Sequence, residues 1–375
     1  MKIVLISNLI PPYRYNSHQI LAKRVAADGG AFRIFRTHKS EPQRNWADPS
    51  GLFSQVILPG IHVPLGENRS LALNASPAPS LANFGPDIVI LAGFGSAMWQ
   101  AHKWCRQHDI PYIVRFDGWA GSDAVFKNPI RQKMRQDILT HAHAGMAAST
   151  QGANWFTTKG LKADQITITQ IAPSFTPPTA TDLPVWQHRP YDLLWCGRPT
   201  AAKGFDLFLK LAAQLAQNST VTSIAIAGIA PKDHAAVQAK INQAEIAALT
   251  TILTAVSPGA LAPIYGSAKL FVLPSYSDAY GVAVIEAIAC GTLAIASDQT
   301  GCAHDVLVNG ETMLPLPTSS SQLNRWIEIS THLLTNPAFR TRHLAQQQAA
   351  IANNTADTIA AQTLCICQQV LATQR

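Results

Sequence analysis

Residues 193–204 read LLWCGRPTAAKG, and residues 273–291 read LPSYSDAYGVAVIEAIACG. Each begins as an apolar run short enough for a buried strand and breaks at Gly or Pro. Each then opens a helix. In the first, Gly197-Arg198 closes the strand and Lys203-Gly204 starts the helix, so Arg198 and Lys203 converge on one strand-to-helix crossing. Arginine offers forked hydrogen bonds to phosphate oxygens and lysine a point charge. Two surface cations flanking a loop would read the same way. In the second, Glu286 is the only charge in an apolar helix stopped by Gly291. A buried charge is costly unless it meets a partner. Ribose hydroxyls would serve, and so would an ion pair between helices. The helix start at Tyr280–Val282 offers free N–H groups and a positive dipole end, which suit a diphosphate.

Outward from these stretches, strand and helix patterns alternate along the chain. Strands are expected at Ile3–Ile6, Phe32–Phe35, Gln55–Leu58, Asp87–Leu91, Tyr112–Arg115, Gly145–Ala148 and Gln165–Thr169. Further strands are expected at Asp192–Cys196, Ser223–Ala227, Thr251–Leu253, Leu270–Leu273 and Leu293–Ala296. Helical patterns fill the gaps and the tail, Thr355–Leu371 being the last. Such β-α alternation predicts parallel sheets covered by helices on both faces. Residues 173–190 hold five prolines and no period, and read as a linker. The expected organisation is 1–172, a linker at 173–190, 191–354, and a terminal helix within 355–375. Ligands in such sheets sit beyond the carboxyl ends of the strands.

The chain has 375 residues, 47% hydrophobic and 14% charged, which excludes a disordered protein. Its six cysteines contain no CxxC pair, so zinc-ribbon and thioredoxin chemistry are not expected. Scattered thiols suit a reducing cytosol. The start, MKIVLISNLIPPYRYN, reads as a first strand rather than a signal peptide. Ile246–Ala268 lacks charge but is broken at Ser257-Pro258-Gly259, so no membrane span is expected.

Residues 1–175 carry 18 Lys and Arg against 10 Asp and Glu, so this half should meet something anionic. No nucleic-acid-binding signature is present. Lys127, Arg131, Lys133 and Arg135 form a basic stretch with Ile130, Met134 and Ile138 at helical spacing. It reads either as a membrane-surface helix or as a core-facing helix with a solvated basic face. His141-Ala-His143 lies at a helix end with no third ligand near in sequence, so no metal is expected there.

The G-R-x4-K-G run, the PSYSD turn and the E-A-x-A-x-G helix together resemble the family-4 retaining glycosyltransferases of the GT-B fold. PDIVIL, ASTQGANWF and TGCAHDVLVNGETMLPLP extend the resemblance over nearly the whole chain. The family pairs two glutamates seven residues apart after Pro-Ser, where this chain has Asp278 and Glu286.

The resemblance implies two Rossmann-like doubly wound α/β domains facing a central cleft, with the last helix packed back on the first domain. It implies a nucleotide-diphosphate sugar as donor and co-substrate, with no cofactor and no metal. Arg198 and Lys203 would hold the diphosphate, beside Gly197. Glu286 would hold the ribose. Asp278 and the backbone of Ala279, Tyr280, Gly281 and Val282 would hold the sugar, with Gly228 and Val256 near the base. In the first domain Arg14, His18, Arg115 and Asp117 are the acceptor-side residues. Asp117 reads as a catalytic or sugar contact, as a turn carboxylate, or as the ion-pair partner of Arg115. A lipid-linked or saccharide acceptor in envelope or exopolysaccharide assembly is implied. The expected location is the cytoplasm, at the inner face of an anionic membrane.

Two other readings stand beside this one. A sugar-nucleotide isomerase of the same architecture would need a cluster of acid and base groups. A non-catalytic nucleotide-sugar binder would follow if Asp278, a methylene shorter than Glu, had lost the sugar contact.

Overall fold

The computed structural model describes residues 1–39, 46, 48–49, 51–64, 70–124, 128–254 and 258–374. The chain divides into two units, Met1–Ala172 with Thr355–Arg375, and Pro173–Asn354.

The first unit runs β1 (Lys2–Ser7), α1 (Tyr15–Ala27), β2 (Ala31–Arg36), β3 (Gln55–Ile57), β4 (Gly60–Pro64), β5 (Ser70–Asn74), α2 (Ala78–Phe84), β6 (Ile88–Ala92) and α3 (Ser96–Gln107). It continues with β7 (Tyr112–Phe116), α4 (Ala120–Asp123), α5 (Pro129–Thr140), β8 (Ala144–Ala147), α6 (Thr150–Thr158) and β9 (Ile166–Ile168). Seven strands form a parallel sheet in the order β3-β2-β1-β6-β7-β8-β9. Its inner strands are buried on both faces, Ile3 through Ile6 being sealed from solvent, which is why they read as continuous apolar runs rather than alternating ones. Asn128 caps α5, accepting from the N–H groups of Ile130 and Arg131. Ser149 caps α6.

The second unit runs β10 (Tyr191–Cys196), α7 (Phe205–Gln217), β11 (Ile224–Ile229), α8 (His234–Gln243), β12 (Thr250–Thr254), α9 (Leu261–Gly266), β13 (Ala268–Leu273) and α10 (Val282–Ala289). It ends with β14 (Leu293–Ser297), α11 (Ala303–Val306), β15 (Met313–Leu314), α12 (Ser320–Thr335) and α13 (Pro337–Ile351). The six strands are parallel in the order β12-β11-β10-β13-β14-β15. The direction of winding reverses between β10 and β13, and this switch point is where such sheets bind ligands. A last helix, α14 (Ala356–Ala372), belongs to the first unit, burying Ile366, Cys367 and Val370 in one cluster with Leu21 and Val25 of α1.

The antiparallel hairpin β4–β5, α2, α4 and β15 were not anticipated from sequence. The basic helix also differs from expectation. Lys127 lies outside the described residues. Ile130 is 70% exposed, so the apolar stripe does not run the helix's length. Arg135 is buried, not part of a solvated basic face, because Asp123 accepts two hydrogen bonds from its guanidinium at 2.5 and 2.7 Å. The Trp155 indole donates to the same carboxylate.

Candidate functional site

At the switch point of the second sheet, two glycines make room. Gly228 has φ +81°, and a Cβ there would lie 3.0 Å from the Gly197 carbonyl oxygen. The ends of β10 and β11 therefore approach with backbone alone. Arg198 follows, half-buried. A single turn at Ala201–Lys203 leads to Gly204, whose φ is +62°. A Cβ at Gly204 would overlap the Pro274 carbonyl oxygen at 1.8 Å, so only glycine lets α7 start against the end of β13. This close approach brings Lys203 to Asp278, with Nζ 2.5 Å from Oδ2. The Asp278 side chain is 10% exposed and that of Lys203 25%.

The turn before α10 is fixed by the segment after β14. Asp278 N–H donates to Gln299, Gly301 N–H to Asp278, and Cys302 N–H to the buried Tyr280. Gly281 has φ +90° and packs against Thr300, where a Cβ would lie 2.3 Å from the methyl group. The first turn of α10, with Val282 leading, opens behind this turn. Ala279 lies in the same turn. Val256 lies outside the described residues.

Glu286 does not form an ion pair between helices. One carboxylate oxygen accepts from Ser174 Oγ at 2.5 Å and Ser174 N–H at 3.1 Å. The other accepts from Tyr265 OH at 3.0 Å. A carboxylate has about four lone-pair sites, so these three hydrogen bonds leave one on the second oxygen unfilled. Burial pushes the Glu286 pKa up, against the pull of Ser174 and Tyr265. Ser174 falls in the segment expected to be a linker, and nothing local in the sequence marks it or Tyr265. Burial raises the neighbouring Cys196 thiol to about 12, which removes it as a nucleophile at neutral pH.

The four residues of the first unit expected on the acceptor side come together at the carboxyl ends of β1 and β7. Arg14 donates to Asp117 at 2.7 Å, and Arg115 Nη1 lies 3.3 Å from His18 Nε2. Asp117 thus pairs with Arg14 rather than with Arg115. Arg14, His18 and Arg115 are buried. Burial, then the Arg115 and Arg14 charges, hold the His18 pKa well below its usual value, so His18 is neutral. Burial and Arg14 lower Arg115 to about 10. Among the described residues this cluster holds two guanidiniums and one carboxylate. Elsewhere in the unit, His141 meets His102 and Asp137 rather than His143. The third group stands on a different helix, so sequence spacing could not reveal it.

With the fold and site in view, two family models match. One, described as glycosyl transferases group 1, covers residues 184–349, and one described as a glycosyl transferase 4-like domain covers residues 19–171. Among curated proteins, a D-inositol 3-phosphate glycosyltransferase of Rhodococcus opacus is 32% identical over 164 residues, 42% of this chain and 36% of that protein. One of Rhodococcus jostii is 36% identical over 124 residues, 32% of this chain and 27% of that protein. The chain thus spans well under half the length of these relatives. Among solved structures, sucrose-phosphate synthase from Thermosynechococcus elongatus superposes with a TM-score of 0.73 at 17% identity, covering 100% of both chains. Anabaena HepE in complex with UDP superposes with a TM-score of 0.75 at 13% identity, covering 98% of this chain and 100% of that one. At such identities the likeness establishes the fold.

Proposed function

We propose that this chain, whose two halves match glycosyltransferase family models and whose fold is GT-B, is an enzyme that moves a sugar from a nucleoside-diphosphate sugar to a hydroxyl acceptor. The observation that carries this reading is the meeting of Lys203 with Asp278 at the switch point, in the loop that also carries Arg198 and in the turn that leads into α10. In the proposed reaction the leaving diphosphate develops negative charge. Arg198, Lys203 and the α10 N–H groups stabilise that charge more in the transition state than in the bound donor. Glu286 takes a ribose hydroxyl on its remaining lone pair. Asp278 shares Lys203 with the donor and takes a sugar hydroxyl. With cations and a helix dipole in these roles, transfer requires neither metal ion nor cofactor.

The acceptor hydroxyl attacks from the face the diphosphate leaves, the departing phosphate oxygen takes its proton, and the anomeric configuration is retained. The acceptor is a lipid-linked or saccharide molecule of envelope or exopolysaccharide assembly. Two guanidiniums, Arg14 and Arg115, in one cluster would suit an acceptor carrying a phosphate, in keeping with the inositol 3-phosphate named for the relatives. Among the described residues no helix is long and apolar enough to cross a membrane. The basic first half would hold the enzyme to an anionic cytoplasmic membrane face.

The test is nucleoside diphosphate release from UDP-, GDP-, ADP- and dTDP-sugars, with and without phosphorylated acceptors. Acceptor-stimulated release from one donor supports the reading. Conversion of a donor to its epimer without an acceptor would replace it with the isomerase.

A further inference from the structure

Helix α3 buries His102 completely, and the end of α5 presents Asp137 and, just past its last turn, His141 to it. One ring nitrogen of each histidine and one Asp137 oxygen lie within 4.8 Å of one another. His102 Nε2 is 3.3 Å from Asp137 Oδ2. That is about the edge of a tetrahedron built with zinc bonds of ~2.0–2.1 Å. Yet the carboxylate lies off the direction of a ring N–H, so this buried nitrogen makes no well-aligned hydrogen bond.

The neighbouring hydrogen bonds explain why. Tyr112 OH gives its single proton to the Ile138 carbonyl at 2.6 Å. Its oxygen is left to accept, so His102 Nδ1, 3.0 Å away, is the donor. A neutral ring protonated at Nδ1 carries a bare lone pair on Nε2. That lone pair and the Asp137 carboxylate are two acceptors face to face, a repulsion that a cation relieves. Trp99 Nε1 donates to the same Asp137 oxygen at 3.1 Å. Tyr112 and Trp99 thus orient the imidazole and the carboxylate as outer partners orient metal ligands.

We propose that His102, Asp137 and His141 bind one divalent transition-metal ion, with zinc the best match, clamping α3 to α5. Two imidazoles and one carboxylate suit zinc, whereas magnesium and calcium prefer oxygen ligands throughout. Water fills the fourth position. The site shares no residue with the proposed donor or acceptor sites, so its role is to tie the two helices together.

The experiment titrates the untagged, chelator-stripped full chain with cobalt(II) and follows the visible absorption of four-coordinate cobalt. The expected result is one equivalent bound, displaced by zinc and not by magnesium. His141→Ala and Asp137→Asn should each weaken binding at least about tenfold. Both residues reach solvent, so the variants should melt with the wild type in chelator. Absence of the band would overturn the proposal, as would equal affinity in both variants or displacement by magnesium.

Discussion

Lys203 Nζ and Asp278 Oδ2 meet at 2.5 Å although 75 residues separate them. The pair joins the loop after β10 to the turn after β13, so the residues proposed to hold the diphosphate and the sugar are one coupled unit. Lys203→Ala removes a charge-assisted contact worth ~1.5–3 kcal/mol, a 10- to 100-fold loss of nucleoside diphosphate affinity. Asp278→Asn frees Lys203, so free diphosphate should bind at least as tightly while the intact donor binds more weakly. Calorimetric titration of both ligands measures the split. Asp278→Glu should shift donor preference, read by donor competition assays.

Gly204→Ala should cost at least ~2 kcal/mol, since it combines a left-handed residue with a backbone overlap. The damage should reach function too, because the same contact places Lys203. Gly29→Ala is the control, having positive φ but nothing within 4 Å. Urea unfolding should show a larger loss for Gly204→Ala.

Tyr265→Phe removes one partner of Glu286 and should destabilise the second unit by about 1 kcal/mol. Glu286→Ala leaves Ser174 and Tyr265 donors unpaired and should cost more, about 2–3 kcal/mol. Glu286→Gln separates binding from stability. The raised Glu286 pKa means its stabilising contribution is present below the unfolded value of 4.5 and lost as pH rises through the folded value. The Gln variant should flatten that part of the stability–pH curve while still weakening nucleotide binding.

Burial lowers the pKa of His18 and of His343 below 6.5 in the folded chain. The unfolded state therefore binds protons that the native state refuses. Their contribution is present above pH 6.5 and lost as pH falls towards the folded values, by up to ~1.4 kcal/mol per pH unit for each histidine. Urea midpoints between pH 7.5 and 5 should fall accordingly, and His18→Gln should reduce the slope by about one proton.

The fold was legible where physics is local. Strands buried on both faces gave unbroken apolar runs such as Ile3–Ile6, and glycines marked Lys203-Gly204 and Gly291 as helix boundaries. The hairpin β4–β5 was hidden because IHVP and LALN are short and separated by charge. Partners distant in sequence were also hidden. Glu286 announced that it needed one, but Ser174 lies 112 residues away. Arg135 read as a surface cation because nothing local points to Asp123. Nothing local marks His102 either, because its partners Asp137 and His141 are distant in sequence.

The most direct measurement of the central claim is thermal stabilisation of the purified chain by UDP, GDP, ADP, dTDP and CMP, with an Arg198→Ala/Lys203→Ala double variant alongside. A ligand at a hundredfold its dissociation constant adds about 2.7 kcal/mol of stability. The account predicts that one nucleotide stabilises the wild type and leaves the double variant unchanged. Equal stabilisation of both proteins, or of neither by any nucleotide, would contradict it.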